Sequence, residues 1–204
     1  MSQKNDTAPE LPCSIVTELR SGMKVCLRPI HPSDQNRIER GIMELSDRSR
    51  YLRFFSSFKI APPSVVEKLS AVDGVDHIAW GVVNLDADDH PPIAAAHVIR
   101  DSDDPAMGEF AIAVLDDYQS KGVSRALIAA LFSNCLEQGL CKLNIAVLRE
   151  NRKAARLIAA LGAEMTQSEG VVAHYRLDLE KTLDALRGME KPTGLRTIFA
   201  AFEG

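Results

Sequence analysis

The chain has 204 residues, 46% of them hydrophobic, enough for one ordinary domain that folds without a disulfide or a metal. Its 24 basic and 28 acidic side chains leave a formal charge of −4, so the sequence carries no overall electrostatic footprint for nucleic acid or an anionic membrane. No apolar run approaches the ~20 residues that span a bilayer, and Met1 is followed by a polar stretch rather than an apolar signal core. Cys13, Cys26, Cys135 and Cys141 form neither a C-x-x-C pair nor a Cys/His set at metal-ligand spacing, so a reducing cytoplasmic setting and no bound metal are expected.

Residues 1–20 are polar, contain Pro9 and Pro12, and read as a flexible tail. Residues 23–28 alternate loosely and give a first strand, ended by Pro29 and Pro32. Ser33 or Asp34 then caps a helix to about Leu45. The aromatic-rich stretch from Ser49 to Phe58 packs the early helices, and Pro62 and Pro63 open a short helix to about Leu69. Segments 77–85, 93–100 and 107–115 read as an antiparallel meander with Asp- and Pro-containing turns between them. His77 and His97 fall in these strands, and His174 in a later one; each is expected as a packed or edge histidine, and Trp80 as core.

From residue 116 onward the pattern becomes helix, strand, helix. Val123, Ala126, Leu127, Ala130 and Leu131 have helical spacing, and Gly139 stops that helix. Residues 142–148 form a strand, Ala154, Leu157, Ile158 and Leu161 a second apolar helical stripe, and 164–177 a hairpin turning near Gly170. A last helix from about Leu179 fades into a tail; it can dock on its own domain or on a second copy, which leaves a homodimer open. The expected organisation is a tail over 1–20, a domain over 21–178, and a C-terminal helix and tail over 179–204. The expected fold class is α+β, with about seven mostly antiparallel strands, one parallel splayed pair joined through the 123–138 helix, and helices on both faces.

The chemistry concentrates in 109–125, EFAIAVLDDYQSKGVSR, where a strand meets a tight polar turn and a helix start. A helix N-terminus leaves N–H groups unpaired and presents a positive dipole end, so it holds an anion without many charged side chains. Gly122 lets the backbone approach such an anion closely, and Lys121 and Arg125 add local positive charge. Neither a P-loop nor a G-x-G-x-x-G fingerprint is present. On these grounds alone the segment is either an anion site or an ordinary strand–helix turn.

Gln119-x-x-Gly122-x-Ser124 resembles the Q/R-x-x-G-x-G/A signature of GNAT acetyltransferases, and Asn151-x-x-Ala154-x-x-Leu157, ending Leu161-Gly162, resembles the second signature of the same superfamily. Leu27-Arg28-Pro29-Ile30, the run from Ser49 to Phe55, and Glu109-Phe110 with Asp116-Asp117-Tyr118-Gln119 are similar to the GNAT domain of bacterial Pat-type protein-lysine acetyltransferases.

The resemblance implies acetyl-CoA as cosubstrate and an amine acceptor, a protein lysine or a small molecule, with no nucleic acid or membrane partner. It places the pantetheine arm along the backbone of Ile112 and Val114, and the pyrophosphate on Gln119, Ser120, Lys121, Gly122, Val123, Ser124 and Arg125. Asn151 contacts the cofactor arm, caps a helix, or does both. Glu109 stands where Pat-like members have a proposed general base; alternation puts it on a face with Ala111 and Ala113, where partial burial would raise its pKa. The plainer alternative is a strand-end carboxylate in solvent. Arg50, Tyr51 and Arg53 belong to the stretch that forms the acceptor-side wall in the family.

Two departures stand out. Ser124 replaces the last Gly or Ala of the first signature, and Ile158 stands where many relatives carry a Tyr that protonates the leaving thiolate. Tyr118 and Tyr175 are the remaining phenols near the expected site. A non-catalytic acyl-CoA-binding regulatory module is therefore the alternative to an enzyme.

Overall fold

Two burial patterns sort the strands. In β2 (Lys24–Pro29) Val25 and Leu27 are buried between more exposed neighbours, whereas β3 (His77–Asn84) is buried nearly throughout and β4 (Pro92–Arg100) is buried or partly buried along its whole length. The first pattern fits a strand covered on one face, the second strands covered on both. The computed structural model describes residues 14–189 and 194–203. Its strands form one sheet in the order β1-β2-β3-β4-β5-β6-β8-β7, with β1 at Ile15–Glu18, β5 at Met107–Val114, β6 at Lys142–Leu148, β7 at Glu164–Glu169 and β8 at Val172–Asp178. All neighbours pair antiparallel except β5 and β6.

The sheet has eight strands where the sequence suggested about seven. The extra one is β1, inside the stretch read as tail: it is four residues long, and only Ile15 and Thr17 turn inward, too short a period to register. The rest of that expected tail, residues 1–13 with Cys13, lies outside the described residues.

Helices α1 (Gln35–Glu44), α2 (Asp47–Phe54) and α3 (Pro63–Ser70) precede the meander; α1 packs on β4 and α2 on β5. Helix α4 (Val123–Glu137) lies against β3, β4 and β5, and is itself covered by α6 (Leu179–Arg187) and α7 (Leu195–Ala200). That sandwiching explains why α4 is apolar almost all round rather than along one stripe. Phe132 in α4 meets Phe110 of β5 edge-on, with centroids 5.0 Å apart. The C-terminal segment is no mere tail: α6 docks on α4 of its own chain, and α7 buries Leu195, Ile198 and Phe199. A smaller core of Ile42, Ala61 and Val66 sits beneath α1 and α3. The remaining helix, α5 (Arg152–Ala160), follows β6.

One feature of the sheet positions the candidate site. The parallel ladder between β5 and β6 consists of Met107 with Lys142, Gly108 with Leu143 and Glu109 with Asn144, and then stops. Gly108 sits where the packing is tight: a Cβ there would lie 2.9 Å from Val98 Cγ1 and 3.0 Å from the Ile99 carbonyl. Beyond Glu109 the strands diverge, while β5 stays paired to β4 up to Val114.

Candidate active site

The divergence opens a cleft of about 650 Å³ floored by residues 110–114 of β5 and 145–147 of β6. Phe110 packs on α4, so alternation sends Ile112 and Val114 to the α4 face and Glu109, Ala111 and Ala113 to the face of α1 and α2. The Gln119 side chain donates to the Val114 carbonyl at 3.2 Å. That carbonyl therefore points into the cleft, and the two-residue repeat aims the backbone of Ile112 the same way. An extended ligand can pair there as an added strand.

At the inner end of the cleft lies the turn before α4. Ser120 (φ 63°) and Gly122 (φ 94°) both take left-handed conformations, which curls residues 119–123 and brings successive amides to one side. Among the described residues, the backbone N–H groups of Ser120 to Arg125 have no acceptor, and α4 has no side-chain cap. Six uncapped donors at the positive end of a fifteen-residue helix form an anion cradle. Gln119, Ser120, Gly122, Ser124 and Arg125 line the cleft. Val123 is fully buried and contributes only backbone, and Lys121 is exposed with its ammonium 5.6 Å from the Tyr118 ring centroid.

Asn151 caps α5: its Oδ1 accepts from Ala154 N at 3.1 Å. It also lines the cleft, and its side-chain N–H donors have no partner among the described residues, so both readings from the sequence are compatible in one side chain. Gln119 ties the site together, accepting from Lys153 Nζ at 3.0 Å and donating to Ser49 Oγ of α2 at 3.4 Å. Burial pushes the Asp116 carboxyl up, but the hydrogen bonds it accepts from Ser49 and Ser46 together outweigh this and hold it below the usual carboxylate value.

Of the two environments open for Glu109, the structure shows the solvent-exposed one. The residue lies just beyond the cleft wall, which begins at Phe110. Ile158 is buried in α5 and faces the cleft where a phenol was sought. Neither Tyr118 nor Tyr175 lines the cleft; the Tyr118 hydroxyl instead accepts from Asn84 Nδ2 at 3.3 Å. Arg50 is also removed from substrate: it is buried and donates to the carbonyls of Leu45 at 2.8 Å and Phe58 at 3.1 Å. Among the described residues no group of three or more His, Cys, Asp or Glu is placed to hold a metal, and no helix is long and apolar enough to cross a membrane.

The sequence did not disclose that His77 and His97 meet. His97 lies opposite Ala111 on the face of the sheet toward α1 and α2, and its Nδ1 is 3.0 Å from His77 Nε2. His77 Nδ1 is 3.0 Å from the Ala71 carbonyl, which can only accept. The neutral pair therefore carries its protons on both Nδ1 atoms, leaving His97 Nε2 as a bare acceptor. Burial, then the Arg53 guanidinium, push His97 well below the ordinary histidine value of 6.5, and burial lowers His77 as well.

Because protonation is easier in the unfolded chain, the contribution of this neutral pair is fully present above about pH 6.5 and is lost as pH falls toward the folded-state values. The urea midpoint is expected to drop between pH 7 and pH 5, and to drop less in His97→Gln over the same interval. Equal slopes in the two proteins would refute the linkage.

An amide-lined turn facing a gap between splayed parallel strands can take an extended ligand that carries an anionic group. The profile of the acetyltransferase (GNAT) family matches residues 51–163, and the chain belongs to that family. It is similar to Acetyltransferase Pat of Mycolicibacterium smegmatis, 33% identical over 159 residues, which are 78% of this chain and 47% of that protein; the chain thus spans about half the length of this relative. Among solved structures, the GNAT domain of S. lividans PAT superposes with a TM-score of 0.74 at 24% identity, covering 83% of this chain and 99% of that one. The cAMP-binding acyltransferase from Mycobacterium smegmatis matches at 0.58 and 26% identity, covering 94% of this chain and 56% of that one.

Proposed function

We propose that this chain transfers an acetyl group from acetyl-CoA to a primary amine, by direct attack in a ternary complex. The observation that carries the proposal is the run of acceptor-less amides from Ser120 to Arg125, opening onto a cleft wide enough for a pantetheine arm. In this reading the pyrophosphate sits on those amides with Arg125 beside it, the arm pairs with Ile112 and Val114, and Asn151 donates to it. The thioester then lies near the point where β5 and β6 part, beside Glu109.

The neutral amine attacks the thioester carbonyl carbon, the C–S bond breaks as the tetrahedral adduct collapses, and CoA leaves as thiolate. The ammonium proton passes to Glu109, directly or through water. Ile158 offers no proton to the thiolate, so the leaving group takes its proton from solvent. The acceptor is a protein lysine or a small amine, approaching from the α1 and α2 face.

The second reading, an acyl-CoA-binding regulatory module, draws on Ile158 and on the position of Glu109 outside the cleft wall. Calorimetry with acetyl-CoA, followed by CoA-release assays on an amine panel, separates the two. Binding with turnover supports the transferase; binding with no turnover on any amine supports the module; absence of binding defeats both.

A further inference from the structure

Next to the cofactor cleft lies a second hollow, of about 80 Å³, between the acceptor face of the sheet and helices α1 and α2. The two spaces share Leu45, Arg53 and Ala113 as a common wall. The hollow is apolar through its middle, where Ile42 and Ile93 face it, and polar at its ends. At one end the Arg28–Asp34 pair is closed on itself, with contacts of 2.6 and 2.7 Å. At the other end is Arg53.

Arg53 is half-buried, yet among the described residues its guanidinium has neither a hydrogen bond nor an ion pair. Only the Phe54 ring is near, with its centroid 4.9 Å from Cζ. Burial is felt strongly enough to bring this guanidinium down to about 10, and the nearby Glu109 charge does not restore it. Arg50, one turn earlier, differs: its terminal nitrogens donate to backbone carbonyls, and only its buried Nε lacks a partner. A half-buried guanidinium on the wall shared by two hollows, with no protein partner among the described residues, keeps its N–H donors free for a ligand. Its planar fork of N–H donors matches a carboxylate. The lining charges agree in sign, with three arginines against one aspartate around the hollow.

We infer that Arg53 is the recognition site for a carboxylate carried by one of the two substrates, held at the wall between the cofactor cleft and the hollow. The inference rests on the transferase reading and names its substrate class. The carboxylate arrives either on the acceptor, which is then an amino acid or a similar amine acid whose aliphatic stem occupies the hollow, or on the acyl group, as in succinyl-CoA.

The test compares the protein with Arg53→Gln and Arg53→Lys, after thermal unfolding has shown that both variants fold. Acetyl-CoA and succinyl-CoA are titrated by calorimetry, and CoA release from acetyl-CoA is followed with two matched pairs, lysine with cadaverine and ornithine with putrescine. Each pair differs by one carboxylate. A charge-assisted bidentate contact is expected to favour the carboxylated member by about ten-fold or more. Arg53→Gln should abolish that preference, and Arg53→Lys should retain part of it.

A preference in the amine pairs assigns the carboxylate to the acceptor, and a preference for succinyl-CoA assigns it to the acyl group. No preference in either arm, or one that survives Arg53→Gln, overturns the inference while leaving the transferase reading intact. Failure of acetyl-CoA to bind defeats the transferase reading instead. In that event lysine and cadaverine are titrated into the ligand-free protein by calorimetry, and the inference stands only if lysine binds more tightly and Arg53→Gln removes the difference.

Discussion

Replacing Glu109 with Gln is expected to lower kcat for amine acetylation by about 10²-fold or more while changing the acetyl-CoA dissociation constant by no more than about two-fold. The substitution keeps size and hydrogen-bonding shape and removes the ability to take a proton. The split follows from placement: Glu109 is the last β5 residue paired to β6, and the cleft wall begins one residue later. A contact made to the cofactor arm itself would move the dissociation constant as well. Steady-state kinetics on the best amine of the panel, with calorimetry on the same samples, measure both quantities. A variant with unchanged kcat would strip Glu109 of the proposed role and leave His97 Nε2, the bare imidazole nitrogen on the same face of the sheet, as the next group to replace.

Much of this site was legible because its determinants are local. The turn before α4 needs a residue tolerant of positive φ, and Gly122 provides it; Asn151 is both a signature residue and a helix cap within three residues of its partner. The strand and helix boundaries from 77 to 188 fall within a few residues of expectation because the segments are long and bounded by Asp-, Pro- and Gly-containing turns.

What the sequence hid are contacts made across the fold. His77 and His97 are twenty residues apart, and only the β3–β4 register brings them to 3.0 Å. β1 and α7 have too few residues to display a period, and they bury their apolar side chains only because the sheet and α4 are already there to cover them. The environment of Glu109 stayed open between partial burial and solvent for a similar reason: alternation fixes its face, but whether that end of the strand is covered depends on where α2 stops.

Arg50 shows how that cover is held. Its guanidinium reaches the carbonyls of Met43 and Leu45 at the end of α1 and those of Phe58 and Lys59 beyond α2, so one side chain staples three consecutive pieces of the acceptor wall. Arg50→Ala leaves several inward carbonyls without a donor and is expected to cost roughly 2–4 kcal/mol of stability, read as a lower urea midpoint at pH 7. The loss should be concentrated: amide exchange should accelerate most in 45–61, while α4, buried between the sheet and α6 and α7, keeps its protection. In function the same change should raise KM for the amine more than it weakens acetyl-CoA, since Arg53 rides on α2 whereas the amide cradle belongs to α4. Arg50→Lys, which keeps a charge but cannot reach carbonyls on both sides at once, should fall between the two. Uniform acceleration of exchange across the chain would show instead that the wall and the main core unfold as a single unit.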